Sequence, residues 1–100
     1  MKKEILSQLI ESNADILLLD IREAEELTDT PTIRGATHMP MGKVFTEAGK
    51  GNLPHTKQIV VFCKTGTRAE IVEQELRARD YIVDGLEGGL NNYVTTEDTL

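Results

Sequence analysis

Cysteine occurs once in these 100 residues, at Cys63, and tryptophan not at all. A single thiol excludes an intrachain disulfide and any metal centre built on several cysteines, so neither metal nor cofactor is expected. Long hydrophobic runs are missing too. Nothing approaches the roughly 20 apolar residues that cross a bilayer. The opening Met1-Lys2-Lys3 leads into an amphipathic pattern rather than a signal-peptide core. Positive charge is scarce: 11 Lys and Arg stand against 17 Asp and Glu, for a formal charge of −6. That balance argues against nucleic acid or an anionic membrane as a partner. A reducing cytoplasm is the expected compartment, and a reactive thiol persists there. The hydrophobic fraction, 39%, is lean but sufficient for one modest core. Length and core together predict one domain over residues 1–100, with residues 95–100 as a frayed polar tail.

What is present centres on Val60-Val61-Phe62-Cys63-Lys64-Thr65-Gly66-Thr67-Arg68. An apolar run ends at Cys63, a short polar turn with one glycine follows, and a helical pattern begins near Arg68. Strand, tight loop and helix in that order aim backbone N–H groups and a helix N-terminus at one point. A thiol held there is biased toward thiolate, because the helix end carries partial positive charge and Lys64 and Arg68 add more. These residues therefore describe a cysteine nucleophile in an anion cradle.

Along the rest of the chain, Ile5, Leu6, Leu9 and Ile10 recur at helical spacing and predict a helix over 3–12, ended by Asn13. Ile16 to Leu19 is a continuous apolar run, the pattern of a strand buried on both faces, and Asp20-Ile21-Arg22 lies at its carboxyl end. One or two helical turns are expected over 22–27 and a loop over 28–32. A short strand over 36–39 stops at Pro40. The segment 41–54 contains Gly42, Gly49, Gly51 and Pro54 and is expected to be largely irregular, with one helical turn over 44–48. The second buried strand runs over 58–63. The next helix starts with Thr67 and Glu70 at capping-box spacing and stops at Asp80. Tyr81-Ile82-Val83 is expected as a strand ended by Gly85. Leu86 to Gly89 is a turn, and 90–94 a last short helix. Alternating strands and helices make an α/β sandwich with a largely parallel sheet. In such sheets ligands gather beyond the carboxyl ends of the strands, where Asp20, Arg22 and Cys63 all fall.

Four stretches, in order, resemble one family. Cys63-Lys64-Thr65-Gly66-Thr67-Arg68 is similar to the active-site loop of rhodanese-homology domains, with cysteine, four residues, then arginine. Leu18-Leu19-Asp20-Ile21-Arg22-Glu23 resembles the early family strand that ends in Asp-x-Arg. Ile33-Arg34-Gly35-Ala36-Thr37-His38-Met39-Pro40 resembles Ile-x-Gly-Ala-x-x-x-Pro, and Leu86-Glu87-Gly88-Gly89 resembles Leu-x-Gly-Gly. The resemblance implies a three-layer sandwich and a sulfurtransferase that carries sulfur as a persulfide on Cys63. This chain departs from the family pattern in four places. Thr30-Pro31-Thr32 replaces a usual Gly-His, Asp80 a common glycine, Glu73 a small apolar residue and Tyr93 a frequent tryptophan.

The expected reaction is attack by the Cys63 thiolate on the sulfane sulfur of an anionic donor, thiosulfate-like or a sulfur-carrier protein, followed by transfer to a thiol or cyanide. Backbone N–H groups from Lys64 to Arg68, with Thr65, Gly66 and Thr67 between, would hold the anion. Arg68 would grip a sulfonate-like group bidentately, which lysine cannot do. Asp20 and Arg22 are expected to form a pair that braces the loop rather than to act on substrate. His38 and His55 have no partner pattern for a metal or a general base, and Gly88 and Gly89 are expected to serve a turn. Two other functions compete. A cysteine phosphatase also uses Cys, loop and Arg, but with five intervening residues where this chain has four. A rhodanese-like module that only binds partners is the third reading, although such modules often lose the cysteine that this chain keeps.

Overall fold

The computed structural model describes residues 1–93. Four strands, β1 (Leu17–Asp20), β2 (Thr37–His38), β3 (Ile59–Phe62) and β4 (Val83–Gly85), form one parallel sheet in the order β2-β1-β3-β4. Helices α1 (Lys3–Glu11), α2 (Met41–Gly49), α3 (Thr67–Ala78) and α4 (Gly89–Asn92), with a 3₁₀ helix at Ala24–Thr28, connect them. The expected α/β layering is what the sheet and its helices form. Its last segment, 95–100, lies outside the described residues.

Alternation along the strands divides the core. Leu19, Ile59, Val61 and Cys63 face one side, where Val44 and Ala48 of α2 and Ala69, Val72 and Leu76 of α3 cover them. Leu18, Val60 and Phe62 face the other, against Leu6 of α1 and Leu90 of α4. All four residues of β3 are buried on both faces, which is why that strand is apolar throughout. Each such side chain contributes about 1.5–3 kcal/mol by leaving water. Tyr93, in place of the expected tryptophan, is buried in the α1–α4 cluster and fills that position.

Three local expectations need correction. The segment 41–49 is a full helix, not one turn in a loop. Val44 and Ala48 are buried, and Met41 and Phe45 pack against the same cluster, so a stripe at i, i+3, i+4 and i+7 outweighs two glycines. Strand β4 begins at Val83 rather than Tyr81. The Tyr81 N–H is taken by the Leu76 carbonyl (3.1 Å), closing the end of α3 after Asp80 turns left-handed at φ 67°. Tyr81 instead buries its ring, stacked on His55 at 3.8 Å. The capping box at Thr67 and Glu70 does not form. Gly66 flanks the helix with φ 101°, and no side-chain oxygen caps it.

The connection out of β1 leads to β2 on one side of the sheet, and the connection out of β3 leads to β4 on the other. The carboxyl ends of β1 and β3 therefore flank the switch point, where a crevice opens in sheets of this kind.

Candidate active site

Cys63 follows β3 directly, and its side chain turns under the N-terminus of α3. The Gly66 N–H donates to Cys63 Sγ at 3.1 Å and the Ala69 N–H at 3.4 Å. Ala69 is the third residue of α3, whose N–H is usually satisfied by a Ser, Thr, Asp or Asn cap. Here the sulfur takes that place, while Thr67 lies inside the helix with Gly66 as its cap, so the predicted box is out of register. The loop closes this tightly because Gly66 adopts φ 101°, a region that side chains disfavour.

The chain just after Gly88 and Gly89 locks the loop from behind. The Leu90 N–H bonds the Cys63 carbonyl (2.8 Å) and the Asn91 N–H bonds the Lys64 carbonyl (3.0 Å). A Cβ on Gly89 would lie 2.7 Å from the first of these oxygens and 2.6 Å from the second. Gly89 is therefore required for close approach as well as for its turn.

The predicted residues do not all converge on the sulfur. Lys64, Thr65 and Thr67 are exposed along the loop, and Thr65, Gly66 and Thr67 also line a groove of about 350 Å³ on its outer side. Cys63 has no exposed surface and belongs to the apolar cluster under α2 and α3, so the sulfur sits at the floor of the loop. Arg68 is instead engaged by a carboxylate. Its Nη1 and Nη2 bond the two carboxylate oxygens of Glu26 at 2.7 and 2.8 Å. This pairing holds the Glu26 carboxyl at about 2, chiefly through the Arg68 hydrogen bonds and then through the Glu23 N–H, and it raises Arg68 further above its ordinary value.

Asp20 and Arg22 do form a pair, 0% and 1% exposed, with Arg22 Nε and Nη2 on the carboxylate at 2.8–3.2 Å. Burial pushes the Asp20 carboxyl up, but hydrogen bonds from Arg22 and Thr32 outweigh it and leave the group below its usual range. The pair's reach differs from expectation. Arg22 Nη1 donates to the carbonyls of Glu26 (3.2 Å) and Thr30 (3.0 Å), and Thr32 Oγ1 donates to Asp20 (2.7 Å). It braces the 3₁₀ helix and the following loop, and is linked to the Cys63 loop through Glu26. The Thr30-Pro31-Thr32 departure is thereby put to use. His38 bonds the Arg22 carbonyl through Nε2 (2.7 Å).

Glu26 is the site residue that the sequence reading missed. Its one signal is position: an acid in a short charged turn just past the carboxyl end of β1. Among the described residues no group of three or more His, Cys, Asp or Glu could hold a metal ion, and no helix is long and apolar enough to cross a membrane.

A family model described as the rhodanese-like domain matches residues 2–96. Among curated proteins, the chain is 32% identical over 79 residues to a tRNA sulfurtransferase of Desulfurococcus amylolyticus. It is 28% identical over 78 residues to the putative sulfur carrier protein YrkF of Bacillus subtilis. Those matches take in 79% and 78% of this chain but 15% and 40% of the relatives. Among solved structures, a rhodanese-like domain protein from Staphylococcus aureus superposes with a TM-score of 0.85 at 18% identity, covering 100% of this chain and 95% of that one.

Proposed function

The chain belongs to the rhodanese-like domain family, and from that premise we propose that it is a sulfurtransferase acting through a persulfide on Cys63. The observation that carries this reading is the pair of amide N–H groups, from Gly66 and Ala69, directed at the sulfur. Two N–H donors so placed stabilise negative charge on the sulfur when it is attacked and released as a leaving group. With thiosulfate, the sulfur lone pair attacks the terminal sulfane sulfur, the S–S bond breaks, and sulfite leaves with the bonding electrons. With a persulfide donor the leaving group is a thiolate. The acceptor thiol or cyanide then removes the outer sulfur and returns Cys63 to thiolate. No redox partner is required. The sulfur carrier and tRNA sulfurtransferase named among the relatives support a sulfur-transfer setting for the reaction.

Cys63 has no exposed surface, so uptake of sulfur requires residues 64–68 to move aside. That burial is also what favours the second reading, a partner-binding module with an inert thiol. Exposure to a sulfane donor followed by intact-protein mass measurement separates the two. A gain of one sulfur atom on Cys63, absent in Cys63→Ser of unchanged fold, is expected. An unmodified Cys63 after thiosulfate and persulfide donors alike would overturn the persulfide reading in favour of the binding module.

A further inference from the structure

The groove of about 350 Å³ beside the Cys63 loop lies between the first half of α3 and the turn that joins β4 to α4. Its floor is short of side chains. Gly66, Gly85 and Gly88 all line it, and a Cβ on Gly85 would project to within 3.0 Å of Glu73 Oε1 and 3.8 Å of the Ala69 carbonyl, both groove residues. Another backbone can therefore approach closely there. The charged side chains of the lining are Glu70 and Glu73 on α3 and Glu87 on the facing turn, so each wall carries acid. Arg77 bonds Glu73 at 2.7 Å, and the Met1 ammonium lies 3.0 Å from Asp84 and 3.7 Å from Glu87. Four carboxylates thus stand against two cations around the groove, which leaves it net negative. The formal charge of −6 on the whole chain adds to that field. Glu73 is also one of this chain's departures from the family pattern, standing where a small apolar residue is usual.

Resting on the Cys63 persulfide reading, we propose that this groove docks a basic segment of a partner protein, whose lysines or arginines flank a cysteine persulfide, and that this protein is the sulfur donor. Acids on opposite walls match cations spaced along a chain better than one small cation. Thr65, Gly66 and Thr67 belong both to the groove and to the segment that must move before Cys63 takes up sulfur. A donor seated there holds its sulfur beside the loop as the loop opens. The step balances: Cys63–S⁻ bonds the outer sulfur of R–S–SH, the inner S–S bond breaks, and R–S⁻ leaves with the bonding electrons. The proton stays on the transferred sulfur, and no external oxidant or reductant enters.

Three synthetic peptides test the groove, each with one cysteine persulfide flanked by lysines, by serines or by glutamates. They are offered to the wild-type chain, to Glu70→Gln/Glu87→Gln and to Glu11→Gln/Glu47→Gln, which removes two charges from α1 and α2, outside the groove. For the wild-type chain, kcat/KM is expected to be about tenfold higher with the lysine peptide than with the glutamate peptide, mostly through KM. That ratio should fall to about twofold in about 1 M salt, where the screening length is about 3 Å. Glu70→Gln/Glu87→Gln should show the reduced ratio without added salt and leave the serine-peptide value unchanged, whereas Glu11→Gln/Glu47→Gln should keep the wild-type ratio. Equal use of the lysine and glutamate peptides by the wild-type chain, or a ratio that the two double variants alter alike, would overturn the groove while leaving Cys63 as nucleophile. A lysine peptide with serine in place of its cysteine reads docking without transfer. It should shift the backbone amides of residues 65–73 and 85–88, and unmoved amides there would overturn the docking. Failure of all three persulfides to load Cys63 would overturn the persulfide reading and the donor role with it.

Discussion

Two arginine–carboxylate pairs meet at the 3₁₀ helix, and their surroundings set them apart. Asp20–Arg22 is closed off from water, at 0% and 1% exposure, and every remaining polar atom of the pair is bonded to neighbouring chain. Glu26–Arg68 is 28% and 31% exposed and ties together two elements 42 residues apart. A buried charge cannot leave its partner without stranding the other, so the first pair is scaffold. The second keeps access to solvent, which replaces part of what is lost when the pair opens. The same chemical pairing thus fixes the interior in one place and, in the other, ties the 3₁₀ helix to the first turn of α3. The two are coupled in series, because Arg22 holds the backbone of Glu26.

The largest effect should come from the buried member. Asp20→Ala strands Arg22 in the interior and is expected to cost about 3–5 kcal/mol, read as a lower urea midpoint with an unchanged slope. A loss below about 1 kcal/mol would erase the contrast between the pairs. Thr32→Val sharpens it. The substitution keeps the shape and removes one hydrogen bond to a charged carboxylate, for an expected loss of about 1.5–3 kcal/mol. A surface-like value there would mean that the threonine hydroxyl is replaceable by water and that Asp20 is less enclosed than its 0% exposure implies.

The legible parts of this molecule are those whose signal is local. Ile59 to Phe62 is uniformly apolar because both faces are covered, and Cys63 to Arg68 carries its geometry within six residues. Tyr81 misled because one N–H cannot close α3 and also pair with β3, a competition that β-propensity does not register. In α2 the stripe Met41, Val44, Phe45 and Ala48 stands at helical spacing, and Gly42 and Gly49 mask it although each costs a helix only about 1 kcal/mol. Glu26 could not be assigned from sequence. Its contact with Arg68 depends on β1 and β3 lying side by side, a fact of topology rather than of spacing. The position of the loop was therefore readable and the partner of Arg68 was not.

Titration gives the smallest effect and the finest test of the exposed pair. The Glu26 carboxyl lies at about 2 in the folded chain, against 4.5 for the unpaired group. A depressed folded value means that its stabilisation is complete above about pH 4.5 and is lost as pH falls toward 2. For a pair about one-third exposed, screening limits that contribution to about 1 kcal/mol. Asp20 is depressed as well, and its own loss in acid appears in any variant that retains it. Subtracting the stability of Glu26→Gln from that of the wild-type chain removes this shared part. The difference should be flat from neutral pH down to about 4.5 and shrink between there and about 2, where a protonated Glu26 and a glutamine are both neutral. A difference that stayed constant through that window would mean the two side chains differ by packing or capping. Glu26 would then not hold Arg68 by charge.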